Sequence, residues 1–139
     1  MQIREFRPSD SEALVRLWRE CGLLRPWNDP LKDIHRKQAA RSGWFLVGET
    51  GDLVMASAMV GYDGHRGSVY YLAVAPEFQG RGYGAVLMKH AEELLLALGC
   101  PKINLMLRED NQQVQAFYRD QDYTTEAAIV LGKRLIPDH

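Results

Sequence analysis

The stretch from residue 68 to residue 98 constrains the fold most, because it joins a strand pattern to a helix pattern through a short loop. Residues 68–75 are nearly all strand formers without polar alternation, which is typical of a strand buried on both faces. Pro76 ends this run. Apolar residues then recur at helical spacing from about Gly82 to Leu98, and Gly99 is placed to end the helix. The chain should therefore build helices against a sheet.

The remaining punctuation continues the alternation of strands and helices. Further strands are predicted over 2–7, 44–49, 53–61, 102–108 and 123–135, and further helices from about 9 to 22, from 30 to 41 and after Asp110 or Asn111. The expected order is β-α-α-β-β-β-α-β-α-β, which is an α/β (α+β) class. A length of 139 residues is that of one domain, spanning 1–139.

Composition excludes several classes of protein. Lys and Arg number 17 against 18 Asp and Glu, so the basic excess of a nucleic-acid binder is missing. No apolar run reaches the roughly 20 residues that span a bilayer, and residues 1–7 lack a signal-peptide core. Cys21 and Cys100 lie far apart and are expected to be free thiols in a reducing cytoplasm. No pair of histidines has metal-ligand spacing, so no metal is expected.

One glycine-rich segment carries the chemistry, and it lies at the start of the long helix. It reads Gln79, Gly80, Arg81, Gly82, Tyr83, Gly84, Ala85. Glycines leave backbone N–H groups uncovered, and a helix N-terminus adds unpaired donors with a partial positive charge. This combination predicts a site for phosphate oxygens, with Arg81 as an additional charged contact.

Three interpretations of these glycines compete. They could form a plain connecting turn. Gly80, Gly82 and Ala85 also satisfy the dinucleotide pattern G-x-G-x-x-A, but too little chain follows to complete a doubly wound sheet. No Walker P-loop pattern is present. The third interpretation is Q-x-x-G-x-G, carried by Gln79, Gly82 and Gly84.

This third pattern resembles the GNAT superfamily of N-acetyltransferases. The matching pieces are L-A-V-x-P-E-F-Q-G-R-G-Y-G at 72–84, the helix that follows, and N-x-x-x-x-x-F-Y at 111–118. More narrowly, L-L-R-P-W-N-D-P at 23–30 and G-Y-D-G-H-R-G-S-x-Y-Y-L at 61–72 resemble a bacterial subgroup, the YpeA-type acetyltransferases. The resemblance implies a mixed, mostly antiparallel central sheet flanked by about four helices.

The resemblance also implies acetyl-CoA as the acetyl-donor cosubstrate. Its pantetheine arm would lie along an exposed strand edge, like an added strand, opposite the backbone of Leu72, Ala73 and Val74. Its pyrophosphate would lie on the glycine-rich segment from Gln79 to Ala85. The side chains of Leu72 and Val74 are expected to pack in the core, since the cofactor needs only their backbone.

Two residues near the C-terminus match further family positions. Asn111 matches an asparagine near the pantetheine, and it can also be a helix cap. Tyr118 matches the tyrosine that gives a proton to the departing CoA thiolate. The alternative for Tyr118 is aromatic packing beside Phe117.

The sequence does not identify the residue that acts as the general base. Family members that keep a carboxylate place it at positions which are Ser68 and Met106 here. Nearby side chains that could serve instead are Asp63, His65, Tyr70 and Glu77, and a water chain could replace them all. Asp63 could equally cap its own turn, and His65 could be a solvated surface residue.

The acceptor would be a primary amine, on a small molecule or a protein, attacking the thioester directly in a ternary complex. Substrate contacts are expected from Trp27, Asp29 and Asp63, although Asp29 also fits the cap of the helix that Pro30 opens. The alternative function is a non-catalytic acyl-CoA-binding or sensing domain. A monomer or a homodimer is expected.

Overall fold

A computed structural model describes all residues of the chain, Met1–His139. Its sheet has four strands in the order of the sequence, and each pairs antiparallel with the next. The strands are β1 (Gln2–Glu5), β2 (Trp44–Thr50), β3 (Leu53–Tyr62) and β4 (Gly67–Val74). The helices are α1 (Ser11–Glu20), α2 (Pro30–Ala40), α3 (Tyr83–Ala97) and α4 (Gln112–Arg119), with short 3-10 turns at Pro8–Asp10 and Pro76–Phe78. The α/β class and the mostly antiparallel sheet are confirmed.

The chain forms two compact units. The first comprises Met1–Asn104 with Asp138–His139, and it contains the sheet and the first three helices. The second comprises Leu105–Pro137 and contains α4. The organisation of 1–139 as a single domain stays a prediction.

The core of the first unit lies around β3. Six consecutive residues, 55–60, are buried there, so both faces of the strand are covered. Helices α1 and α3 pack on β3 and β4 and bury apolar stripes of Leu14, Leu17, Trp18 and of Leu87, Met88, Ala91, Leu95. Each fully buried leucine contributes about 2 kcal/mol to the free energy of unfolding. These contacts hold the two strands that frame the site.

Strand β4 differs from its expected position, because it is the last strand of the sheet rather than an inner one. The apolar run at 68–75 indicates that the faces of the strand are covered by helices. It does not indicate whether both edges of the strand are hydrogen-bonded. Tyr70 is 47% exposed, so even the face coverage is incomplete. The edge of β4 that points away from β3 is the feature that matters for function.

The strands predicted at 102–108 and 123–135 are wrong. At 102–108 the only pairing is a parallel bridge at Ile103, with Gly67 N–H donating to the Lys102 carbonyl (2.8 Å) and Asn104 N–H donating to the Gly67 carbonyl (3.0 Å). Gly67 permits this approach, because a Cβ there would lie 3.1 Å from Cys100 Sγ. Residues 123–135 contain strand formers, but no ladder forms in that stretch. Propensity does not make a strand without a hydrogen-bonded neighbour.

Candidate functional site

The loop between β4 and α3 depends on two glycines. Gly80 has φ +78° and Gly82 has φ +84°, a left-handed conformation that side-chain-bearing residues rarely adopt. A Cβ added at either glycine would meet no atom within 4 Å. The space outside this loop is therefore open, and the backbone conformation alone requires glycine.

The first turn of α3 is left without a protein cap. Gly82 is the N-cap residue and supplies no side-chain hydrogen bond, and no acidic residue lies in the first turn. The first helical bond is donated by Val86 N–H to the Gly82 carbonyl (3.1 Å). The preceding N–H groups, at Tyr83, Gly84 and Ala85, therefore remain available to an anion beside the positive end of the helix dipole.

Arg81 lies on the same loop and is exposed. Its guanidinium carbon is 5.5 Å from the centroid of the Phe78 ring, and Phe78 in turn contacts the edge of Tyr83 at 6.3 Å. The aromatic contact holds a positive charge next to the uncapped helix start.

The outer edge of β4 begins at a bulge. The pairing register with β3 shifts between Ser57 and Met59, and Tyr71 takes φ +53° at that point. Beyond the bulge Ala73 lies opposite Ser57, and Ala75 N–H donates to the Met55 carbonyl at 2.8 Å. Because alternate residues point their backbone groups to opposite edges, those of Leu72 and Val74 face away from β3.

The Val74 carbonyl connects this edge to the loop. It accepts hydrogen bonds from Gln79 Nε2 (2.8 Å) and Cys21 Sγ (3.2 Å). Gln79 was expected at the pyrophosphate; in the structure its side chain ties the loop to the strand edge. Cys21 is a free thiol at the end of α1, and burial raises its pKa.

A network around Tyr71 was not predicted from the sequence. The Tyr71 hydroxyl donates to Asp33 Oδ2 (2.6 Å) and accepts from Asn28 Nδ2 (2.7 Å). Its ring stacks on buried Trp18 at 3.9 Å, and Trp18 Nε1 donates to Ser57 Oγ (2.9 Å). Burial first, and the bond to Asp33 second, raise the pKa of Tyr71.

The sequence gives only a weak signal for this network. An acidic residue one turn into a helix is normally a surface residue that complements the helix dipole. The position of Asp33 fits that ordinary interpretation. Asn28, in the Trp-Asn-Asp-Pro stretch, is adjacent to the predicted helix cap Asp29. Nothing in the pattern pairs either residue with a tyrosine about 40 positions away.

The four residues considered as the base have different surroundings. Asp63 Oδ1 accepts from Arg66 N–H and His65 N–H, both at 2.8 Å, and these two bonds lower its pKa. The turn-capping interpretation of Asp63 is therefore confirmed. His65, Tyr70 and Glu77 are all exposed. The structure assigns the base to none of them.

The structure also shows the surroundings of the residues that are expected near the acceptor. Asp29 caps α2 by accepting from Leu31 N–H (2.9 Å) and Lys32 N–H (3.2 Å), as the alternative interpretation had it. Trp27 is 52% exposed in the loop before it. No group of three or more His, Cys, Asp and Glu side chains is arranged to hold a metal ion. None of the helices has the length and apolar character needed to cross a membrane.

The second unit holds the other two predicted residues. Asn111 caps α4 by accepting from Val114 N–H at 3.1 Å. The Tyr118 ring packs against Phe117 (4.9 Å) and Tyr123 (5.5 Å), and burial raises the pKa of Tyr118 to about 12. Its phenol is therefore protonated at neutral pH.

Comparison with known proteins gives a family match over most of the chain. Residues 11–123 match the Acetyltransferase (GNAT) family. An acetyltransferase of Yersinia enterocolitica is 52% identical over 138 residues, which cover 99% of this chain and 98% of that protein.

Solved structures of lower sequence identity share the fold. The PaiA N-acetyltransferase of Thermoplasma acidophilum, solved in complex with coenzyme A, superposes with a TM-score of 0.78 at 19% identity and covers 92% of each chain. AAC(6')-Iy, solved in complex with the bisubstrate analog CoA-S-monomethyl-acetylneamine, gives a TM-score of 0.77 at 17% identity. It covers 96% of this chain and 97% of its own.

Proposed function

Because this chain belongs to the Acetyltransferase (GNAT) family and is an acyltransferase, we propose that it transfers the acetyl group of acetyl-CoA to a primary amine. The transfer is direct, in a ternary complex of enzyme, acetyl-CoA and amine. The acceptor is a small molecule or a protein. A cytoplasmic location, independence from metal, and a monomeric or homodimeric state remain predictions from the sequence.

The observation that carries the proposal is the uncapped start of α3 next to the open edge of β4. The N–H groups of Tyr83, Gly84 and Ala85 supply the donors that a pyrophosphate requires, and Arg81 adds positive charge. Leu72 and Val74 turn backbone groups outward, as the amide groups of a pantetheine arm require. Because the Val74 carbonyl already accepts from Gln79 and Cys21, the groups left for the arm are those of Leu72 and the Val74 N–H. The coenzyme A complex and the bisubstrate complex of the two similar folds support the same cosubstrate.

The chemistry is nucleophilic attack by a neutral amine. The ammonium first gives one proton to solvent, and the amine nitrogen then bonds to the thioester carbonyl carbon. As the amide forms, the nitrogen gives its second proton to solvent, and solvent later returns one to the acid. The C–S bond breaks as the tetrahedral intermediate collapses, and the CoA sulfur takes a proton. We assign that proton to Tyr118, whose pKa of about 12 keeps it protonated throughout the working range.

A steady-state assay of CoA release tests this proposal. Acetyl-CoA is offered with butylamine, spermidine, a lysine peptide and a peptide with a free N-terminus. We expect Tyr118→Phe to lower kcat by about 100-fold while the Kd of acetyl-CoA is unchanged, because only the proton donor is lost. Equal kcat in the two proteins would remove Tyr118 from the mechanism.

The same assay separates the enzyme from a non-catalytic acyl-CoA sensor. The sensor alternative is favoured by one observation, that Ser68 and Met106 stand where some family members keep a carboxylate. An enzyme releases CoA only when an amine is present. A sensor binds acetyl-CoA and releases none with any amine of the panel.

A further inference from the structure

We infer that the Tyr71 hydroxyl receives the acceptor amine as a hydrogen-bond acceptor, and that Asp33 and Asn28 are positioning residues that fix its orientation. The inference rests on the proposed function, which it deepens by assigning the amine subsite to a network that links the α1–α2 loop, helix α2 and strand β4. Neither Asp33 nor Tyr71 was among the residues expected to contact substrate.

The hydrogen-bond directions follow from the groups involved. A carboxylate only accepts, so the Tyr71 proton is committed to Asp33 Oδ2 at 2.6 Å. Asn28 Nδ2 donates to Tyr71 Oη at 2.7 Å and to the same Asp33 oxygen at 2.6 Å. A tyrosine oxygen can accept one further hydrogen bond, and it has no proton left to offer. Toward a ligand, this hydroxyl can therefore only accept.

Such a group discriminates between ligand atoms. An amine or ammonium N–H donates to it, whereas a carbonyl or carboxylate oxygen meets a lone pair. After the ammonium has given a proton to solvent, the amine still has N–H groups to donate, and its own lone pair remains free for attack. The arrangement therefore holds the nucleophile without consuming the electron pair that must bond to carbon.

The surrounding structure fixes the hydroxyl from both ends. The ring is stacked on Trp18 at 3.9 Å, and the Tyr71 carbonyl accepts from buried Ser57 Oγ at 2.7 Å. At the other end Arg36 donates to Asp33 Oδ1 (3.0 Å) and forms a second ion pair with Asp138 at 2.8 Å. Both oxygens of the Asp33 carboxylate are thus occupied, and the carboxylate cannot rotate away from Tyr71.

The position along the chain places the Tyr71 backbone next to the strand edge proposed for pantetheine. Tyr71 directly precedes Leu72, the first residue whose backbone faces the open edge proposed for pantetheine. It has φ +53°, an unfavourable conformation for a tyrosine, and such outliers persist where the surroundings enforce them. Exposed Trp27 adjoins Asn28 and can cover the apolar part of an acceptor.

The test compares Tyr71→Phe and Asp33→Asn with the control Tyr62→Phe, which changes a tyrosine at the end of β3. Butylamine and spermidine are the probe amines. We expect each of the first two variants to raise the amine KM about tenfold with a smaller change in kcat, and the control to change neither. The Kd of acetyl-CoA should stay within about twofold of wild type in all three. The double variant should be no worse than Tyr71→Phe alone, since both changes act through one hydroxyl.

The outcomes separate this inference from the proposed function. Wild-type amine KM in Tyr71→Phe would overturn the inference while leaving acetyl transfer in place. A higher amine KM accompanied by lower kcat, weaker acetyl-CoA binding and a lower melting temperature would also overturn it, because such a combination indicates a purely structural role. Asp33 lies on a partly exposed helix. The Asp33→Asn variant therefore supplies the same test if Tyr71→Phe does not fold. A wild-type protein that transfers to no amine would contradict the proposed function itself.

Discussion

Helices α2 and α3 begin in opposite ways. At α2, Asp29 accepts from the N–H groups of Leu31 and Lys32, Pro30 contributes no N–H, and Asp33 adds negative charge. At α3, the cap is Gly82, which offers no side chain, and the first turn carries no acid. One helix start is satisfied by the protein itself, and the other keeps its donors free.

The difference shows where this fold gives up stability for binding. A side-chain cap is worth about 1 kcal/mol relative to alanine and a few tenths of a kcal/mol relative to glycine, so α3, which has Gly82 as its cap, forgoes the smaller amount. The same unpaired donors can then stabilise the complex with an anionic ligand at a helix start of matching charge. Apart from the control at Gly99, each of the following changes alters one of the two helix starts. Together they should separate effects on stability from effects on binding.

The largest effect is expected from Gly82→Val. A β-branched residue disfavours φ +84°, so the loop must move and the N–H groups of the first turn lose their alignment. We expect acetyl-CoA affinity to fall roughly 100-fold or more in an isothermal titration. The helical circular dichroism signal should be retained.

The matched control is Gly99→Val at the other end of α3. Gly99 has φ +81°, and a Cβ there also meets nothing within 4 Å. It should lower the melting temperature by a similar amount and leave acetyl-CoA affinity unchanged. Equal losses of affinity in both variants would mean that strain, not position, explains the first result.

A smaller effect is expected from Ala85→Glu, which should stabilise the helix and weaken acetyl-CoA binding. A glutamate in the first turn stabilises the helix by about 0.3–1 kcal/mol, and it repels a pyrophosphate at the same place. We expect the melting temperature to rise slightly and acetyl-CoA affinity to fall about tenfold, less so at high salt. Ala85→Gln, with similar shape and no charge, should keep the affinity. Unchanged affinity in Ala85→Glu would argue that the pyrophosphate lies elsewhere.

The smallest effect is expected from Asp29→Ala. Removing the cap should lower the free energy of unfolding by about 1 kcal/mol in urea titration, because two N–H groups lose their acceptor. Asp29→Asn should retain most of that stability. Acetyl-CoA affinity should not change in either variant, and a loss there would mean that the start of α2 also serves the cofactor.

The local elements were readable from the sequence because their signals are local. Asp29 with Pro30, the glycines ending helices, and Asn111 all specify helix ends through neighbours a few residues away. The same holds for the β2–β3 hairpin at Gly51. The uncapped start of α3 was predicted from its glycines alone.

What could not be predicted depends on partners distant in the chain. The left-handed Tyr71, its hydrogen bond to Asp33 and the tie from Gln79 to Val74 all follow from the bulge and from helix packing. Residues 123–135 show the converse, since strand formers there do not by themselves supply a pairing partner. Periodicity shows which faces are apolar, but it does not show which edges are paired.

Thermal unfolding with acetyl-CoA, and with NAD as the control, tests the central claim most directly. Ligand at about 100 times its Kd adds roughly 2.7 kcal/mol to the free energy of unfolding. For a chain of this length, that raises the melting temperature by on the order of 10 °C. The account predicts this rise with acetyl-CoA and none with NAD. A rise with NAD alone, or no rise with saturating acetyl-CoA, would contradict it.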